Sequence, residues 1–311
     1  MKTIGICGMG DHIPAVIVGC MRQGKPGPDQ FSAEKMNHFI HTAIEHGANY
    51  FDHADIYGGG QCEEIFGRAM KNDQSLRRED LILQSKCGIC KGYYDSSKEH
   101  ILESVDNSLK RLQTEYLDVL LLHRPDALIE PEEVATAFDE LQKSGKVKHF
   151  GVSNYRPSQI ELLKTCVEQE LIINQMELSI VHSGMISSGV ESNMRTEGGL
   201  DRDGEVLNYC RINGITIQAW SPFQVSLHGG SFVDDDRYPE LNKELAELAE
   251  KYNTTKTNIA QAWILRHPAN MQVIAGTTKE ERLIQMIEAS RIRLTRPEWY
   301  RMYRSAGNIL P

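Results

Sequence analysis

The chain carries the stretch Asn49-Tyr50-Phe51-Asp52-His53-Ala54-Asp55-Ile56-Tyr57-Gly58-Gly59-Gly60, which guides the interpretation of the rest. It begins as a short apolar strand and then presents two acids, a histidine and a tyrosine before three glycines. Ionisable groups at the end of a buried strand suit the rim of an active site better than a core. Tyr57 is therefore the first candidate for chemistry, and we expect the glycines to leave room around its phenol.

Composition narrows the class of protein. The 311 residues are 40% hydrophobic and 25% charged, and the formal net charge of −9 argues against a nucleic-acid-binding protein. The start of the chain, Met1 to Gly5, leads into glycines and shows no signal peptide. No apolar run approaches the roughly 20 residues of a membrane-spanning helix. Seven cysteines without a regular framework favour reduced thiols. We therefore expect a cytoplasmic protein with no membrane partner.

Apolar strands alternate with amphipathic helices on both sides of the opening stretch. Strands are predicted at 15–20, 49–52, 81–85, 119–122, 149–151, 171–175, 215–220 and 271–275. Their near-continuous apolar runs are typical of strands buried on both faces. About eight strand–helix units in roughly 250 residues predict a (β/α)8 TIM barrel, with a doubly wound sheet as the alternative. We also predict a short N-terminal β-hairpin, an extra C-terminal helix and a single domain over residues 1–311.

Helix ends and loops carry further signals. Ser32 is a predicted N-cap, and Thr278-x-x-Glu281 and Thr295-x-x-Glu298 both predict capping boxes. Two long loops are predicted, at 182–203 and 224–238. Loops of such length are uncommon unless they cover a site or are disordered.

In a barrel, chemistry lies at the C-terminal ends of the strands. Asp52, Lys86 and His123 each end a different predicted strand, and Tyr57 follows one of them. These residue types together suit proton delivery to a carbonyl. An ammonium from Lys86 would lower the pKa of Tyr57, Asp52 would hold the lysine, and His123 would polarise the substrate oxygen. Reducing electrons would have to come from a hydride-carrying cofactor.

The motifs resemble those of the aldo-keto reductase superfamily, in particular a bacterial branch of oxidoreductases. The resemblance rests on Phe51-Asp52-x-Ala54-x-x-Tyr57-Gly58, Lys86, Leu121-Leu122-His123, Gly151-Val152-Ser153-Asn154, Asn174-Gln175, Trp220-Ser221-Pro222 and Gly276-Thr277. It implies a (β/α)8 barrel that binds extended NADPH without a Rossmann fold. It also implies that Tyr57 is the general acid, that Lys86 and Asp52 tune it, and that His123 orients the carbonyl.

The same resemblance implies a cofactor site. Ser153, Asn154 and Gln175 would hold the nicotinamide carboxamide, and Trp220 would stack on its ring. Ser221, Pro222 and Phe223 would follow the pyrophosphate, and Gly19 to Arg22, including Met21, would line the end of the first strand. The adenine end departs from the family pattern, with Gly276, Thr277 and Arg282 kept but Gln285-Met286 in place of Glu-Asn. Lys279 adds a cation for a 2′-phosphate, so we expect NADP rather than NAD.

We therefore predict an NADP-dependent reductase that converts an aldehyde or ketone to an alcohol, acting on a small molecule. A cofactor-binding sensor with negligible turnover is one alternative. A metal-dependent barrel lyase or hydrolase, with Asp52 and His123 as ligands, is another.

Four further features are open to a simple structural interpretation. Cys87 and Cys90 are predicted to be incidental thiols, and no metal site is expected. Arg124 and Asp126 are predicted to form an ion pair. His53 is interpreted as a packing residue or a substrate or metal contact. His182 could reach the substrate.

Overall fold

The computed structural model describes residues 1–24, 31–226 and 228–310. A hairpin of two antiparallel strands, β1 (Thr3–Ile6) and β2 (Gly10–Pro14), comes first. The other strands are β3 (Val16–Gly19), β4 (Tyr50–Asp52), β5 (Ile82–Cys87), β6 (Leu117–Leu122), β7 (Val147–Ser153), β8 (Leu171–Glu177), β9 (Thr216–Trp220) and β10 (Gln272–Ala275). These eight strands are parallel and close into a barrel, because β10 pairs with β3. The predicted barrel and hairpin are confirmed.

Helices surround the barrel in the expected alternation. They are α1 (Ala33–Glu45), α2 (Gln61–Lys71), α3 (Lys98–Leu112), α4 (Pro131–Lys143), α5 (Pro157–Lys164), α6 (Gly184–Val190), α7 (Val206–Ile212), α8 (Pro239–Lys251), α9 (Lys256–Leu265), α10 (Glu280–Ala289) and α11 (Arg296–Ser305). The predicted C-terminal helix is α11. None of the helices in the described residues is long and apolar enough to cross a membrane.

Two of the three predicted helix caps form. Ser32 Oγ accepts a hydrogen bond from the backbone N–H of Lys35, and Thr295 forms a full capping box with Glu298. The capping box predicted at Thr278 was wrong. Helix α10 instead has Lys279 as its N-cap residue, with no side-chain cap. The hydroxyl of Thr277 accepts the Lys279 N–H at 3.1 Å, so a local hydroxyl turn replaces the capping box.

The first predicted long loop contains a helix. Helix α6 occupies Gly184–Val190, inside the range 182–203 that sequence patterning indicated as loop. The hydroxyl of Ser187 on this helix donates to Asn308 Oδ1 at 3.2 Å and accepts from Tyr303 Oη at 3.0 Å. The serines and glycines of this helix have low helical propensity, and contacts with the C-terminal segment stabilise it.

The two ends of the barrel are different. The hairpin lies at the end where the strands begin: Gln272 Nε2 donates to the Pro14 carbonyl, and Cys7 Sγ lies 3.1 Å from Glu170 Oε2. The opposite end carries the C-terminal ends of the strands and the βα loops. Among the described residues, the predicted catalytic side chains therefore collect at the end away from the hairpin.

Candidate active site

The structure brings Asp52, Tyr57, Lys86 and His123 together from three neighbouring strands and their loops. Lys86 Nζ lies 2.7 and 2.9 Å from the two carboxylate oxygens of Asp52. It also lies 3.1 Å from the Tyr57 hydroxyl. The rings of Tyr57 and His123 meet edge to face, with centroids 6.0 Å apart. Four side chains that are up to 71 positions apart in sequence thus share one cluster.

Lys86 is buried and fully partnered. Only 1% of it is exposed, and its three ammonium hydrogens have acceptors in Asp52, the backbone carbonyl of His53 and Tyr57. Burial alone would lower the pKa of Lys86, but Asp52 and Tyr57 together outweigh it through their charges and hydrogen bonds, so the pKa is raised above its usual value. The lysine is therefore a fixed cation at neutral pH.

Tyr57 differs from expectation in its acidity. Burial raises its pKa, and the opposing pull of the Lys86 ammonium is too small to reverse the shift. The expectation that Lys86 brings the pKa below its ordinary value was therefore wrong for the protein alone. The physical reason is that desolvation of a phenolate costs more here than one shared cation returns. At neutral pH the residue is a neutral phenol with a proton to donate.

His123 is a neutral imidazole in this setting. Burial, together with the nearby Lys86 and Arg124 cations, lowers its pKa to about 2. Its Nδ1 is buried and meets no hydrogen-bond partner within the described chain. A neutral ring beside a phenol can donate or accept a hydrogen bond without adding charge.

His53 serves the site through its backbone. Its carbonyl accepts from Lys86, whereas its buried ring packs edge to face on Phe66 at 4.7 Å. Neither ring nitrogen has a partner in the part of the chain described, and burial lowers the pKa of His53 to about 3. Of the interpretations left open by the sequence, the structure supports packing.

The three glycines after Tyr57 shape the backbone. Gly58, Gly59 and Gly60 have φ of +60°, +65° and +94°, values that favour glycine. A Cβ on Gly58 would meet the Gly24 carbonyl at 3.0 Å, and one on Gly60 would meet Arg111. The expectation that these glycines leave room around the phenol stays a prediction. They turn the chain from Tyr57 into helix α2.

All four predicted nicotinamide contacts belong to one series of hydrogen bonds, Gln175 through its backbone carbonyl. Trp220 Nε1 donates to Asn154 Oδ1 at 3.1 Å, and Asn154 Nδ2 donates to Ser153 Oγ at 2.9 Å. Ser153 Oγ in turn donates to the backbone carbonyl of Gln175. Asn154 holds a left-handed φ of +63°, which an asparagine tolerates. This series of hydrogen bonds fixes one edge of the Trp220 indole ring.

The remaining predicted cofactor residues lie on loops after the strands. Ser221 has a φ of +50° and donates its hydroxyl to Gln224, while Pro222 is buried and Phe223 packs on the core. Met21, after β3, is 51% exposed. Gly276, Lys279 and Arg282 are exposed, and Thr277 is half-buried.

The residues fit a dinucleotide with a phosphorylated ribose. Within the described residues, neither Lys279 nor Arg282 is paired with an acid, so both cations near the start of α10 are available to an anion. An indole held by its edge, with an amide and a hydroxyl beside it, suits a nicotinamide ring and its carboxamide. The donor set therefore agrees with the cofactor that the sequence motifs indicate.

Arg124, Asp126 and His182 lie on the segments that follow strands β6 and β8. The Arg124–Asp126 ion pair was wrong: Asp126 accepts the backbone N–H of Ser96 and of Leu128, while the Arg124 guanidinium lies 5.7 Å above the Trp220 ring. These two backbone donors satisfy Asp126 without a cation. His182 is exposed, and its backbone N–H is bonded to Ser179.

Two cysteines and two possible metal ligands are singled out in the sequence. Cys87 and Cys90 are free thiols. In residues 1–24, 31–226 and 228–310 no group of three or more His, Cys, Asp or Glu side chains could hold a metal. Asp52, one of the metal ligands considered, is instead committed to Lys86 and to buried amides.

Sequence patterning missed a set of buried amides below Asp52. Gln84 and Gln175 both donate to Asp52 Oδ1, and both also donate to Gln218 Oε1. Gln218 Nε2 reaches Gln272 Oε1 at 3.1 Å and the Tyr50 hydroxyl at 3.2 Å. The available signal was a glutamine within each of four strands that are otherwise rich in apolar residues. Partnerless buried amides are costly, so several in one barrel must meet each other.

Comparison with known proteins agrees with this geometry. The chain is 39% identical over 284 residues to Oxidoreductase YdhF of Escherichia coli, covering 88% of each chain. It is 32% identical to 6-dehydroglucose reductase of Agrobacterium fabrum, over 85% of each. In fold it matches an aldo/keto reductase from Klebsiella pneumoniae in complex with NADP and acetate, with a TM-score of 0.76, 23% identity, and coverage of 100% of this chain and 96% of the other. The aldo/keto reductase family model matches residues 15–305. The chain belongs to the aldo/keto reductase family.

Proposed function

We propose that this protein reduces the carbonyl of a small aldehyde or ketone to an alcohol with NADPH, and that Tyr57 supplies the proton. The observation that carries the proposal is the contact of the Tyr57 hydroxyl with a buried, fixed Lys86 ammonium at 3.1 Å. The bound cofactor would supply the hydride. The chain's own residues would bind the carbonyl, orient it and provide the proton.

Tyr57 is suited to give up a proton only when a carbonyl oxygen gains electrons. As a neutral phenol it holds its proton at neutral pH, and the adjacent ammonium stabilises the phenolate that remains after donation. Asp52 keeps that ammonium charged and in place. The raised pKa therefore favours the neutral proton donor before reaction, and Lys86 lowers the cost of losing the proton during it.

His123 would orient the substrate. Its neutral ring faces the edge of Tyr57, so a carbonyl oxygen held between the two rings could receive hydrogen bonds from both. A neutral imidazole adds no competing acid to the site. This division assigns the proton to Tyr57 and the position of the oxygen to His123.

NADP is the cofactor we infer. Trp220 would stack on the nicotinamide ring, and Ser153, Asn154 and Gln175 would hold its carboxamide. Ser221, Pro222 and Phe223 would border the pyrophosphate, and Met21 would line the end of the first strand. Gly276 and Thr277 would lie at the adenine end, with Lys279 and Arg282 at the 2′-phosphate. Support comes from the unpaired cations near the start of α10 and from the NADP named in the Klebsiella pneumoniae complex.

The test replaces Tyr57 with phenylalanine. In a panel of aldehydes and ketones scored by NADPH absorbance, we expect Tyr57→Phe to lower kcat by about a hundredfold or more, because the proton donor is lost. Binding of NADPH, followed by its fluorescence, should remain. Tyr116→Phe is a matched control, since Tyr116 precedes β6 and contacts Arg78 and Lys148 instead.

Three results would count against the proposal. A kcat of Tyr57→Phe equal to that of the wild type would show that Tyr57 is not the proton donor. Tight NADPH binding by the wild type without reduction of any carbonyl would favour the sensor alternative. Activity that needs no nicotinamide and disappears on chelation would favour the metal-dependent alternative.

A further inference from the structure

Below Asp52, buried amides from four strands form a continuous network. Gln84 lies beside Asp52 in the β4–β5 register, and Gln218 lies beside both Gln175 and Gln272 in the β8–β9 and β9–β10 registers. Gln84, Gln218 and Gln272 are fully buried, and Gln175 is 3% exposed. Strand pairing therefore places side-chain amides next to each other across the barrel interior.

The orientation of every amide in this network follows from its two ends. Gln272 Nε2 donates to the Pro14 carbonyl, which can only accept, so Gln272 offers its Oε1 to the next amide. Gln218 Nε2 donates to that oxygen and turns its own Oε1 toward Gln84 and Gln175. At the far end stands a carboxylate, which as an ion also only accepts. A single choice of donor and acceptor for each amide therefore satisfies both the Pro14 carbonyl and the Asp52 carboxylate.

This polarity has consequences for two residues of the proposed site. Both amide hydrogens of Gln175 are used, one by Asp52 Oδ1 at 3.1 Å and one by Gln218 Oε1 at 2.9 Å. Gln175 can then meet a cofactor only as an acceptor, through Oε1, which matches the amino group of a carboxamide. Asp52 Oδ1 accepts hydrogen bonds from two amides, so the position of the carboxylate does not depend on Lys86 alone.

We propose that Gln218 is a positioning residue for the reaction: through Gln84 and Gln175 it fixes the carboxylate that holds Lys86 and the amide that meets the nicotinamide. This inference rests on the proposed function, and Gln218 itself touches neither substrate nor cofactor. A buried network in which each amide is held by more than one hydrogen bond is rigid, and rigid support is what a site needs to hold reacting groups in place.

The matched variants are Gln218→Met and Gln272→Met. Both remove one buried amide of the same network and replace it with a side chain of similar size. Gln218→Met removes the acceptor that Gln84 and Gln175 share, so Gln175 can rotate away from Asp52, whereas Gln84 is still held by the Tyr50 hydroxyl, which donates to its Oε1 at 2.7 Å. Gln272→Met leaves the bonds of Gln84 and Gln175 to Asp52 and Gln218 in place, because Gln218 Nε2 keeps the Tyr50 hydroxyl and Gln84 Oε1 as acceptors, each at 3.2 Å. Any general cost of removing a buried amide should appear in both variants, as a lower melting temperature.

A positioning role predicts a difference between the two in catalysis. We expect Gln218→Met to lower kcat by roughly tenfold to a hundredfold, with Gln272→Met close to wild type. The pH profile of alcohol oxidation should also move. The titratable groups that act on Tyr57 are Lys86, Asp52 and Cys20, with His123 at its ring edge. If Lys86 is less well placed, the phenolate is less stabilised, and the midpoint should rise by roughly half a unit or more.

A second readout needs no turnover. The tyrosinate absorbance of each protein is titrated against that of the same protein carrying Tyr57→Phe, and the difference reports Tyr57 alone. The same upward shift is expected in Gln218→Met. Absence of turnover in the wild type would defeat the proposed function but leave this titration able to test the network.

Equal losses of kcat in Gln218→Met and Gln272→Met, with unchanged titration midpoints, would overturn the positioning role and leave a purely structural one. Should Gln218→Met not fold, Gln84→Met takes its place. It removes one of the two amide donors to Asp52 and keeps the Gln175–Gln218 bond, so a smaller shift in the same direction is expected. No shift in that variant would equally overturn the proposal.

Discussion

Burial opposes ionisation in several side chains around Tyr57, and Asp55 shows the cost plainly. Its Oδ1 is buried without a hydrogen-bond partner in the described residues, and Glu63 adds a second negative charge nearby. Burial, reinforced by Glu63, raises the pKa of Asp55 to about 6. Lys86 is also close but is engaged by Asp52, His53 and Tyr57. The ionised carboxylate of Asp55 is therefore poorly compensated.

Replacing Asp55 with asparagine should stabilise the protein at alkaline pH. The folded-state pKa lies above the ordinary value of 3.8, so the charged form costs stability above pH 6 and the cost disappears as pH falls toward 4. We expect Asp55→Asn to raise the free energy of unfolding at pH 8 by roughly 1–3 kcal/mol, with a gain that shrinks toward zero near pH 4. Urea denaturation at both pH values measures this.

Glu103→Gln serves as the control, because Glu103 is exposed on α3 and should show no such pH-dependent gain. A stability difference between Asp55→Asn and wild type that is constant from pH 4 to 8 would mean that charge burial is not the cause.

At the scale of single elements, two identical sequence signals have different outcomes. Thr295-x-x-Glu298 forms a capping box in which Glu298 Oε2 accepts from the Thr295 N–H at 2.7 Å, and Lys251 and Tyr252 also bond to the carboxylate. Thr278-x-x-Glu281 forms none, since α10 begins one residue later than its pattern requires. A capping pattern therefore stabilises a helix only where the helix begins at the residue that lets the threonine hydroxyl reach the backbone N–H of the N3 residue.

This contrast gives a matched pair of substitutions. Thr295→Ala should lower the free energy of unfolding by about 1 kcal/mol, because the backbone N–H of Glu298 and the Glu298 carboxylate both lose a hydrogen bond. Thr278→Ala should have little effect. Thermal and urea unfolding of both variants measure the difference. Similar losses in the two would contradict the assigned helix starts.

At the scale of the whole molecule, the candidate site and the N-terminal hairpin lie at opposite ends of the barrel axis. The hairpin and the Pro14 carbonyl lie at the end where strands begin, and the βα loops carry the candidate site at the other. The amide network joins these ends, from the Pro14 carbonyl through Gln272, Gln218 and Gln175 to Asp52. In the proposed cofactor mode, the nicotinamide lies over the barrel mouth and the adenosine phosphate lies at α10.

The phosphate end predicts cofactor selectivity. Lys279→Ala and Arg282→Ala should each weaken NADPH binding by roughly tenfold or more, because a charge-assisted hydrogen bond to the 2′-phosphate is lost. Binding of NADH, which lacks that phosphate, should hardly change. Fluorescence titration with both cofactors measures the ratio. Lys110→Ala, an exposed lysine on α3, is the control.

Equal weakening of NADPH and NADH in the two α10 variants would place the 2′-phosphate elsewhere. Cofactor binding can also be followed through stability, since a ligand at about a hundred times its Kd adds roughly 2.7 kcal/mol to the free energy of unfolding. At equal concentrations of the two cofactors, the gain should be larger for NADPH than for NADH in the wild type, and the difference should shrink in Lys279→Ala and Arg282→Ala.

The sequence by itself determined that the fold is a parallel sheet of alternating strands and helices, most consistent with a barrel, and it determined the members of the candidate catalytic cluster. Eight apolar strands, each followed by an amphipathic helix, can bury their faces only in a closed or doubly wound parallel sheet. Asp52, Lys86 and His123 end neighbouring strands, so strand order alone predicts that they meet. Local patterns of this kind are visible because they depend on residues a few positions apart.

The tertiary structure decided what depends on distant partners. The pKa of Tyr57 rises because burial outweighs the single ammonium it shares, and no sequence pattern measures that balance. Helix α6 forms against the C-terminal segment despite its serines and glycines. The glutamines of β5, β8, β9 and β10 become a network only through strand register. Desolvation and hydrogen-bond partnership are properties of the packed interior, which the linear order of residues does not contain.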